Sequence, residues 1–151
     1  MKLAEALSLR ADIQKRLEQL KARLLRNAKV QEGDKPAEDP TTLLAEYENS
    51  AAELVQLIRR INLTNAACTV AGRTMTETLA IRDVLKLRHG LYRDLAQAAT
   101  VTQAVATRSE VRFKSTVSVA AVQRQGDDAA KEFRELDARV QEANWLTDLM
   151  E

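Results

Sequence analysis

Cysteine, histidine, aromatic residues and the usual turn residues are all scarce in this sequence. It contains one cysteine, one histidine, four glycines and two prolines, and aromatic side chains make up 3% of its residues. The single cysteine, Cys68, excludes an intrachain disulfide and a cysteine-based metal cluster. The single histidine, His89, excludes a histidine-based zinc site, and the chain has no G-x-S-x-G or P-loop motif. The sequence therefore predicts no catalytic residues, no metal site and no cofactor.

Neither sign of charge dominates, and no long apolar run occurs. Lys and Arg total 23 and Asp and Glu total 22, so the chain has no net field that attracts nucleic acid. The longest uncharged run near the middle, "LAQAATVTQAVAT" at 95–107, is shorter than the ~20 apolar residues of a membrane span. The first residues have no apolar core like that of a signal peptide. We expect a cytoplasmic protein with no nucleic-acid partner and little tendency to bind membranes.

The residues that are abundant indicate helices. Apolar residues make up 45% of the chain and charged residues 30%, and the apolar ones recur at steps of three and four. This spacing predicts helices at 2–28, 41–69 and 75–106, and a fourth from about 119. We expect a single helical domain over 1–151 with a predominantly all-α fold. Its long antiparallel helical hairpins, or coiled-coil-like four-helix bundle, would carry one short strand or ribbon near 110–117.

Three helix starts have sequence signatures. Asp39 precedes Pro40 as an N-cap precedes a first helical residue, and Thr74 with Glu77 forms the T-x-x-E capping box. Ser118 is a plausible cap for the fourth helix. Gly126, beside two aspartates, either kinks that helix or delays its start to Asp127.

The third helix has apolar residues on two sides. One row is Ile81, Val84, Arg88, Leu91 and Leu95, and the other is Leu85, His89, Tyr92, Ala96 and Ala99. We therefore place this helix centrally, with neighbours on both sides. A long, thin bundle exposes much of its apolar seam, so we expect a homo-oligomer.

Residues 110–117 alternate as a strand does. Val111, Phe113, Ser115 and Val117 fall on every second position. A strand needs a partner for its backbone groups, and two candidates remain open. One is "AKVQE" at 28–32, and the other is the same segment of a second copy. On the second interpretation Val111 and Phe113 are oligomer contacts, and Trp145 is either a further subunit anchor or a cap over its own bundle.

Polar residues interrupt the apolar rows. Arg10, Asn65 and Arg88 each take a core position of their own helix, so acids such as Asp12, Glu77 or Asp83 should lie within reach. On a structural interpretation Asn65 fixes the helix register and the arginines pair with acids. On a functional one, Arg10, Asn65, Arg88, Asp83 and Glu77 form an internal site for an anion or a polar small molecule that the sequence does not identify.

Acidic pairs on facing helices can bind Mg²⁺, as in helical nucleotide hydrolases. Glu132 with Glu135 gives one E-x-x-E pair, but no convincing second pair accompanies it. A metal-dependent hydrolase is therefore only the second alternative.

Five segments of the chain resemble a family of small bacterial proteins, some of whose members carry the name septicolysin. The segments are "MKLAEALSLRADIQKRLEQLKARL", "NAKVQEGDKPAEDP", "RRINLTNAA", "SEVRFKSTVSVA" and "RELDARVQEANW". The resemblance implies a predominantly helical fold and assigns no catalytic residue. Its name also implies a membrane-active, pore-forming protein, which is our first alternative. Our main hypothesis is a non-enzymatic, self-assembling helical protein with a structural or binding role.

Overall fold

The computed structural model describes residues 1–102 and 112–151, and helices dominate them. Four helices occur in these ranges: α1 (Leu3–Arg26), α2 (Pro40–Ala67), α3 (Met75–Ala99) and α4 (Val119–Leu146). A two-stranded antiparallel ribbon of β1 (Thr69–Val70) and β2 (Arg73–Thr74) precedes α3. The predicted all-α fold is confirmed.

The chain divides into two units, and the first contains Met1–Thr69 with Glu142–Glu151. Its main feature is the antiparallel pairing of α1 and α2. Arg23, late in α1, binds Glu38 just before α2, whereas Arg16, earlier in α1, lies 3.9 Å from Glu53 farther along α2. Residues buried along the two helices recur mostly at seven-residue intervals: Ala6, Ile13 and Leu20 on α1, and Leu43, Ser50, Leu57 and Thr64 on α2.

Side chains close the loop between α1 and α2. Asn27 ends α1: its side-chain amide donates to the carbonyl of Arg23 and accepts from the backbone N–H of Glu38. Asp39 then caps α2 by accepting from the backbone N–H groups of Thr41 and Thr42, at 3.2 and 3.3 Å. Pro40 follows as the first helical residue. The predicted cap is confirmed.

The end of the chain ties α1 to α2 within the first unit. The N–H of Leu3 donates to the carbonyl of Thr147, and the N–H of Leu149 donates to the carbonyl of Met1, each at 2.9 Å. The N–H of Met150 donates to Oγ1 of Thr64 on α2, also at 2.9 Å. The side chain of Leu149 is buried.

The second unit, Val70–Gln141, begins with the ribbon and α3. Ala71 and Gly72 turn the chain between the strands with φ values of 54° and 80°, the positive values that a two-residue hairpin turn requires. Thr74 then caps α3. Its hydroxyl accepts from the N–H of Glu77, whose carboxylate accepts from the N–H of Thr74, so the predicted capping box is confirmed.

Helices α3 and α4 run antiparallel within the second unit. Arg82, early in α3, donates to Asp137 late in α4 at 3.0 Å, whereas His89 lies farther along α3 beside Gly126, nearer the start of α4. The hydroxyl of Ser118 accepts from the N–H of Ala121, which confirms the predicted cap. Because α4 starts at Val119 and continues through Gly126, the predicted alternative start at Asp127 is wrong.

The expected strand is not formed over the part of 110–117 that the structure describes. Residues 112–115 have no regular structure, 116 and 117 form a bend, and all six are exposed. Ser115 instead donates its hydroxyl to the carbonyl of Val117, a local bond that competes with a ladder. The proposed partner segment 28–32 is also not a strand. Val111 lies outside the described residues.

Two further expectations need correction. Helix α3 ends at Ala99 rather than 106, because Thr100 is extended and its hydroxyl binds the carbonyl of Ala96. Residues 103–106 lie outside the described ranges. On α2, the three-four spacing of the sequence predicts a core face that starts at Leu44 and includes Ile61 and Asn65. Ile61 is buried as predicted, but Leu44 is 51% exposed, and the buried residues at the two ends are Leu43 and Thr64, each one position earlier.

Candidate functional site

A cavity of about 260 Å³ lies between α3 and α4 in the second unit. Its lining combines one imidazole, one phenol and several amide and charged groups: His89, Tyr92, Arg93, Ala96, Gln97, Thr100, Gln123, Gly126 and Asp127. Nδ1 of the half-buried His89 is 3.2 Å from the carbonyl oxygen of Gly126. Because a carbonyl can only accept, Nδ1 carries the proton in this bond, and in the neutral imidazole Nε2 is the ring nitrogen left to accept.

Arg88 of α3 is not part of the cavity lining, but it contacts Tyr92, which is. The guanidinium carbon of Arg88 lies 5.9 Å from the ring centroid of Tyr92, and one guanidinium nitrogen lies 3.5 Å from the phenolic oxygen. This bond to Tyr92, and less strongly the carboxylate of Glu132 on α4, raise the pKa of Arg88. The guanidinium of Arg88 therefore lies beside the phenol of Tyr92.

The two rows predicted on α3 have different environments. The α4-facing row (Leu85, His89, Tyr92 and Ala96) contains two buried and two half-buried residues. In the other predicted row, Arg88 is exposed, and the apolar residues Ile81, Val84, Leu91 and Leu95 are 37, 52, 61 and 36% exposed. Leu87 lies outside the predicted row, but it is 72% exposed and stands one helical turn from Val84 and Leu91, so it joins these four apolar residues in what we call the exposed row of α3. Within the second unit, α3 therefore packs against α4 on one side, and no described residue of that unit covers the exposed row on the other side, where the central position predicted for α3 required a second neighbour.

The five residues predicted to form an internal polar site belong to two units. Arg10 and Asn65 are half-buried in the first unit, and Glu77, Asp83 and Arg88 belong to the second. Glu77 serves the capping box, where hydrogen bonds from the backbone and the hydroxyl of Thr74 lower its carboxyl pKa. Asp83 accepts from the neighbouring Arg82 at 3.4 Å.

Arg88 is exposed, so the expectation that it occupies a buried core position is wrong. It does interrupt an apolar row, but that row faces solvent. A ligand-binding role for the five residues remains a prediction.

Two of the predicted oligomer contacts can be placed. Phe113 is 74% exposed and stands between Arg112 and Lys114, and Trp145 is 63% exposed near the end of α4. Both rings are accessible, whereas Val111 lies outside the described residues.

The E-x-x-E pair lines a second cavity in the same unit, of about 220 Å³. Glu132 and Glu135 share it with Arg73 and Arg139, so two guanidinium groups balance the two carboxylates. Among residues 1–102 and 112–151, no group of three or more His, Cys, Asp or Glu side chains is placed to hold a metal ion.

Sequence reasoning did not identify the residues around His89 as a site. Gln97, Gln123 and Asp127 line the cavity but stand outside the apolar rows. The one available signal was Gly126, a glycine inside the α4 apolar row, which indicates that two helices approach closely there.

Within the part of the chain that the structure describes, no helix combines the length and apolarity that crossing a membrane requires. The fold and these surfaces define a predominantly α-helical protein built on paired long helices. The chain belongs to the Family of unknown function DUF6847, whose model matches residues 10–149. No curated protein matches it.

A solved structure is closely similar. It is the crystal structure of a functionally unknown conserved protein from Corynebacterium diphtheriae. The two sequences are 42% identical, the match covers 99% of each chain, and the TM-score is 0.92.

Proposed function

We propose that the protein acts through self-association of its helices, in a structural or binding role without catalysis. The observation that carries this proposal is the exposed row of α3. Leu87 and Leu91, in the middle of a regular helix, are 72 and 61% exposed. Single exposed leucines are common, but several on one helical face mark an interaction surface.

The charge of the chain agrees with association between identical copies. Its formal net charge is +1, so two copies have little net repulsion to overcome. Two sets of acidic residues support a role outside catalysis. Glu77 caps a helix, and the Glu132–Glu135 cavity carries balanced charges.

Native mass spectrometry of the protein as purified from cells tests the proposal. We expect a closed oligomer whose mass is a whole multiple of the chain mass, and sedimentation at micromolar concentration should agree. A strictly monomeric protein in both measurements would contradict self-association. A nucleotide panel with Mg²⁺ or Mn²⁺ tests the non-catalytic part, and reproducible turnover would contradict it.

The membrane-active alternative is tested with dye-loaded vesicles. We expect no dye release from neutral or anionic vesicles at protein concentrations at which the oligomer forms. Release that depends on protein concentration would favour the septicolysin-like function instead.

A further inference from the structure

The cavity beside His89, between α3 and α4, has the size of a site for a small molecule. Its volume is about 260 Å³. At ~30 Å³ for each water molecule this space corresponds to about eight or nine waters, slightly less than the cavities that bind drug-sized ligands. Ala96 and Gly126 are its buried lining residues, and both are small. The cavity therefore suits a ligand of about the size of an amino acid.

Each helix contributes one charged residue and one glutamine to the lining. Arg93 and Gln97 belong to α3, and Gln123 and Asp127 belong to α4. The two residues of each pair are four positions apart, so they lie one above the other on the same side of their helix. The two walls of the cavity thus present the same kinds of group, with charges of opposite sign.

The antiparallel register places the two charged residues at one level of the cavity. Arg93 lies eleven residues after Arg82 on α3, and Asp127 lies ten residues before Asp137, the partner of Arg82 on α4. Gln97 and Gln123 each lie four residues farther in the same direction, so they form the next level. The cavity therefore has one level with both signs of charge and one level with two amides.

The charged groups keep bonding capacity that a ligand can use. Arg93 donates through Nε to its neighbour Asp94 at 3.1 Å, which leaves its two Nη groups as donors. Within residues 1–102 and 112–151, the carboxylate of Asp127 has no hydrogen-bond or ion-pair partner. Because Nδ1 of His89 donates to Gly126, Nε2 remains as a further acceptor.

We propose that this cavity binds a free α-amino acid with an amide side chain, such as L-glutamine. The carboxylate of the ligand accepts from Arg93, and its ammonium group donates to Asp127 and to Nε2 of His89. The amide of the ligand both donates to and accepts from Gln97 and Gln123, which offer the same two functions. This site lies within the second unit and needs no second copy of the chain, so it goes beyond the proposed self-association.

Other classes of ligand fit the lining less well. Phosphate or another simple anion would be repelled by Asp127, and a metal cation would be repelled by Arg93. Within the described ranges no group of three or more His, Cys, Asp or Glu side chains is placed to hold a metal ion. An apolar ligand would remove water from the glutamine amides without replacing their hydrogen bonds. A zwitterion satisfies both charges at once.

The imidazole of His89 gives a direct measurement of binding, because His89 is the only histidine of the chain. Tag-free protein is titrated with L-glutamine while the ring C–H signals of His89 are followed by NMR. We expect a saturable shift of these signals. N-acetyl-L-glutamine lacks the ammonium group and L-glutaminamide lacks the carboxylate, so each should bind about tenfold more weakly or worse. L-leucine, which has no amide, should also bind more weakly than L-glutamine.

Two variants test the charged level with matched controls. Arg93→Gln and Asp127→Asn should each raise the dissociation constant for L-glutamine about tenfold or more, because each removes a charged hydrogen-bond partner. Arg134→Gln and Asp128→Asn change exposed residues of α4 outside the lining and should keep the wild-type constant. All four positions are exposed, so we expect wild-type helical circular dichroism from every variant.

Several outcomes would overturn the inference. The absence of a saturable His89 shift with L-glutamine overturns the site, and this measurement needs only the wild-type protein. Equal binding of N-acetyl-L-glutamine or L-glutaminamide overturns the assignment of a zwitterion, and equal binding of L-leucine overturns that of an amide side chain. Controls that weaken binding as much as Asp127→Asn overturn the role of the charged level.

The same measurements separate this site from the proposed function. A monomeric protein that binds L-glutamine at His89 contradicts self-association and supports the site. An oligomer whose His89 signals do not respond to L-glutamine supports self-association and overturns the site.

Discussion

Gly126 of α4 passes so close to Tyr92 of α3 that a methyl group on the glycine would lie 3.2 Å from the Tyr92 Cβ. The same glycine gives its carbonyl oxygen to Nδ1 of His89. One position of α4 therefore provides both the close approach of the helices and the polar bond between them. Glycine is a poor helix former, but at position 126 it allows α3 and α4 to pack closely.

Gly126→Ala should destabilise the protein. The alanine gains helix propensity, but its contact with the Cβ of Tyr92 is tighter than side chains normally allow, and overpacking costs about 1–3 kcal/mol. We expect a net loss of about 1 kcal/mol in the free energy of unfolding, measured by urea denaturation. Gly90→Ala is the matched control, because a methyl group there meets nothing within 4 Å. It should stabilise by about 0.5–1 kcal/mol, and equal effects of the two variants would contradict the packing argument.

Ala71→Asn should stabilise the turn of the ribbon. Ala71 has a φ of 54°, which costs an alanine about 1 kcal/mol and which asparagine tolerates better. We expect the free energy of unfolding to rise by about 0.5 kcal/mol in urea denaturation. Gly72→Ala places a side chain at a φ of 80° and should lower the free energy of unfolding by about 1 kcal/mol. Stabilisation by both variants would mean that the turn is not strained.

Thr64→Val should weaken the attachment of the chain end to α2. Thr64 is 1% exposed, and its hydroxyl donates to the carbonyl of Arg60 and accepts from the N–H of Met150. Valine fills the same space but leaves that N–H unpaired, at a cost of about 1–2 kcal/mol in the free energy of unfolding. Faster hydrogen exchange at Met150 in the variant is the local measurement. Thr64→Ser keeps the hydroxyl and should keep the exchange slow.

Lowering the pH should reduce the free energy of unfolding, because Glu38 and Asp148 become protonated. The hydrogen bond from Arg23 lowers the pKa of Glu38, and that from Lys2 lowers the pKa of Asp148. A folded-state pKa below the unfolded one gives stability that is fully present above the unfolded value, near pH 4, and is lost as pH falls through the folded value.

Glu38→Gln should therefore reduce the loss of stability between neutral pH and about pH 3, as measured by urea denaturation at both pH values. Glu48→Gln, at an exposed glutamate of α2, is the control. If the control flattened the pH dependence as much as Glu38→Gln, the Arg23 pair would not be its source.

The parts of the fold that depend on neighbouring residues were predictable from sequence. Asp39, Thr74 and Ser118 act on backbone groups two or three residues away, so their patterns sufficed to locate the starts of α2 and α3 and indicated the start of α4, for which Asp127 remained an alternative. The core face of α2 was not predictable in the same way. Thr64 is a polar residue that is buried because Met150, far along the chain, supplies its partner, while Leu44 is apolar and exposed.

The strand was wrongly predicted, and the candidate site around His89 was not predicted, for a related reason. The alternation of Phe113, Ser115 and Val117 is a local pattern, but a strand needs a partner that no local pattern specifies. The contact of His89 uses a backbone carbonyl of Gly126, and its position depends on the register of α3 against α4. Rows of apolar residues predict which helices pair, and they leave that register open.

Because Leu149 and Met150 are part of the first unit, that unit can be completed only late in the synthesis of the chain. The segment Glu142–Glu151 completes a unit whose other residues, Met1–Thr69, leave the ribosome much earlier. While α3 and α4 are being translated, α1 and α2 stand without the bonds to Thr147, Leu149 and Met150 that hold their ends together. Although N-terminal regions generally fold first during synthesis, we expect this one to reach its final form only after residues 142–151 have emerged from the ribosome.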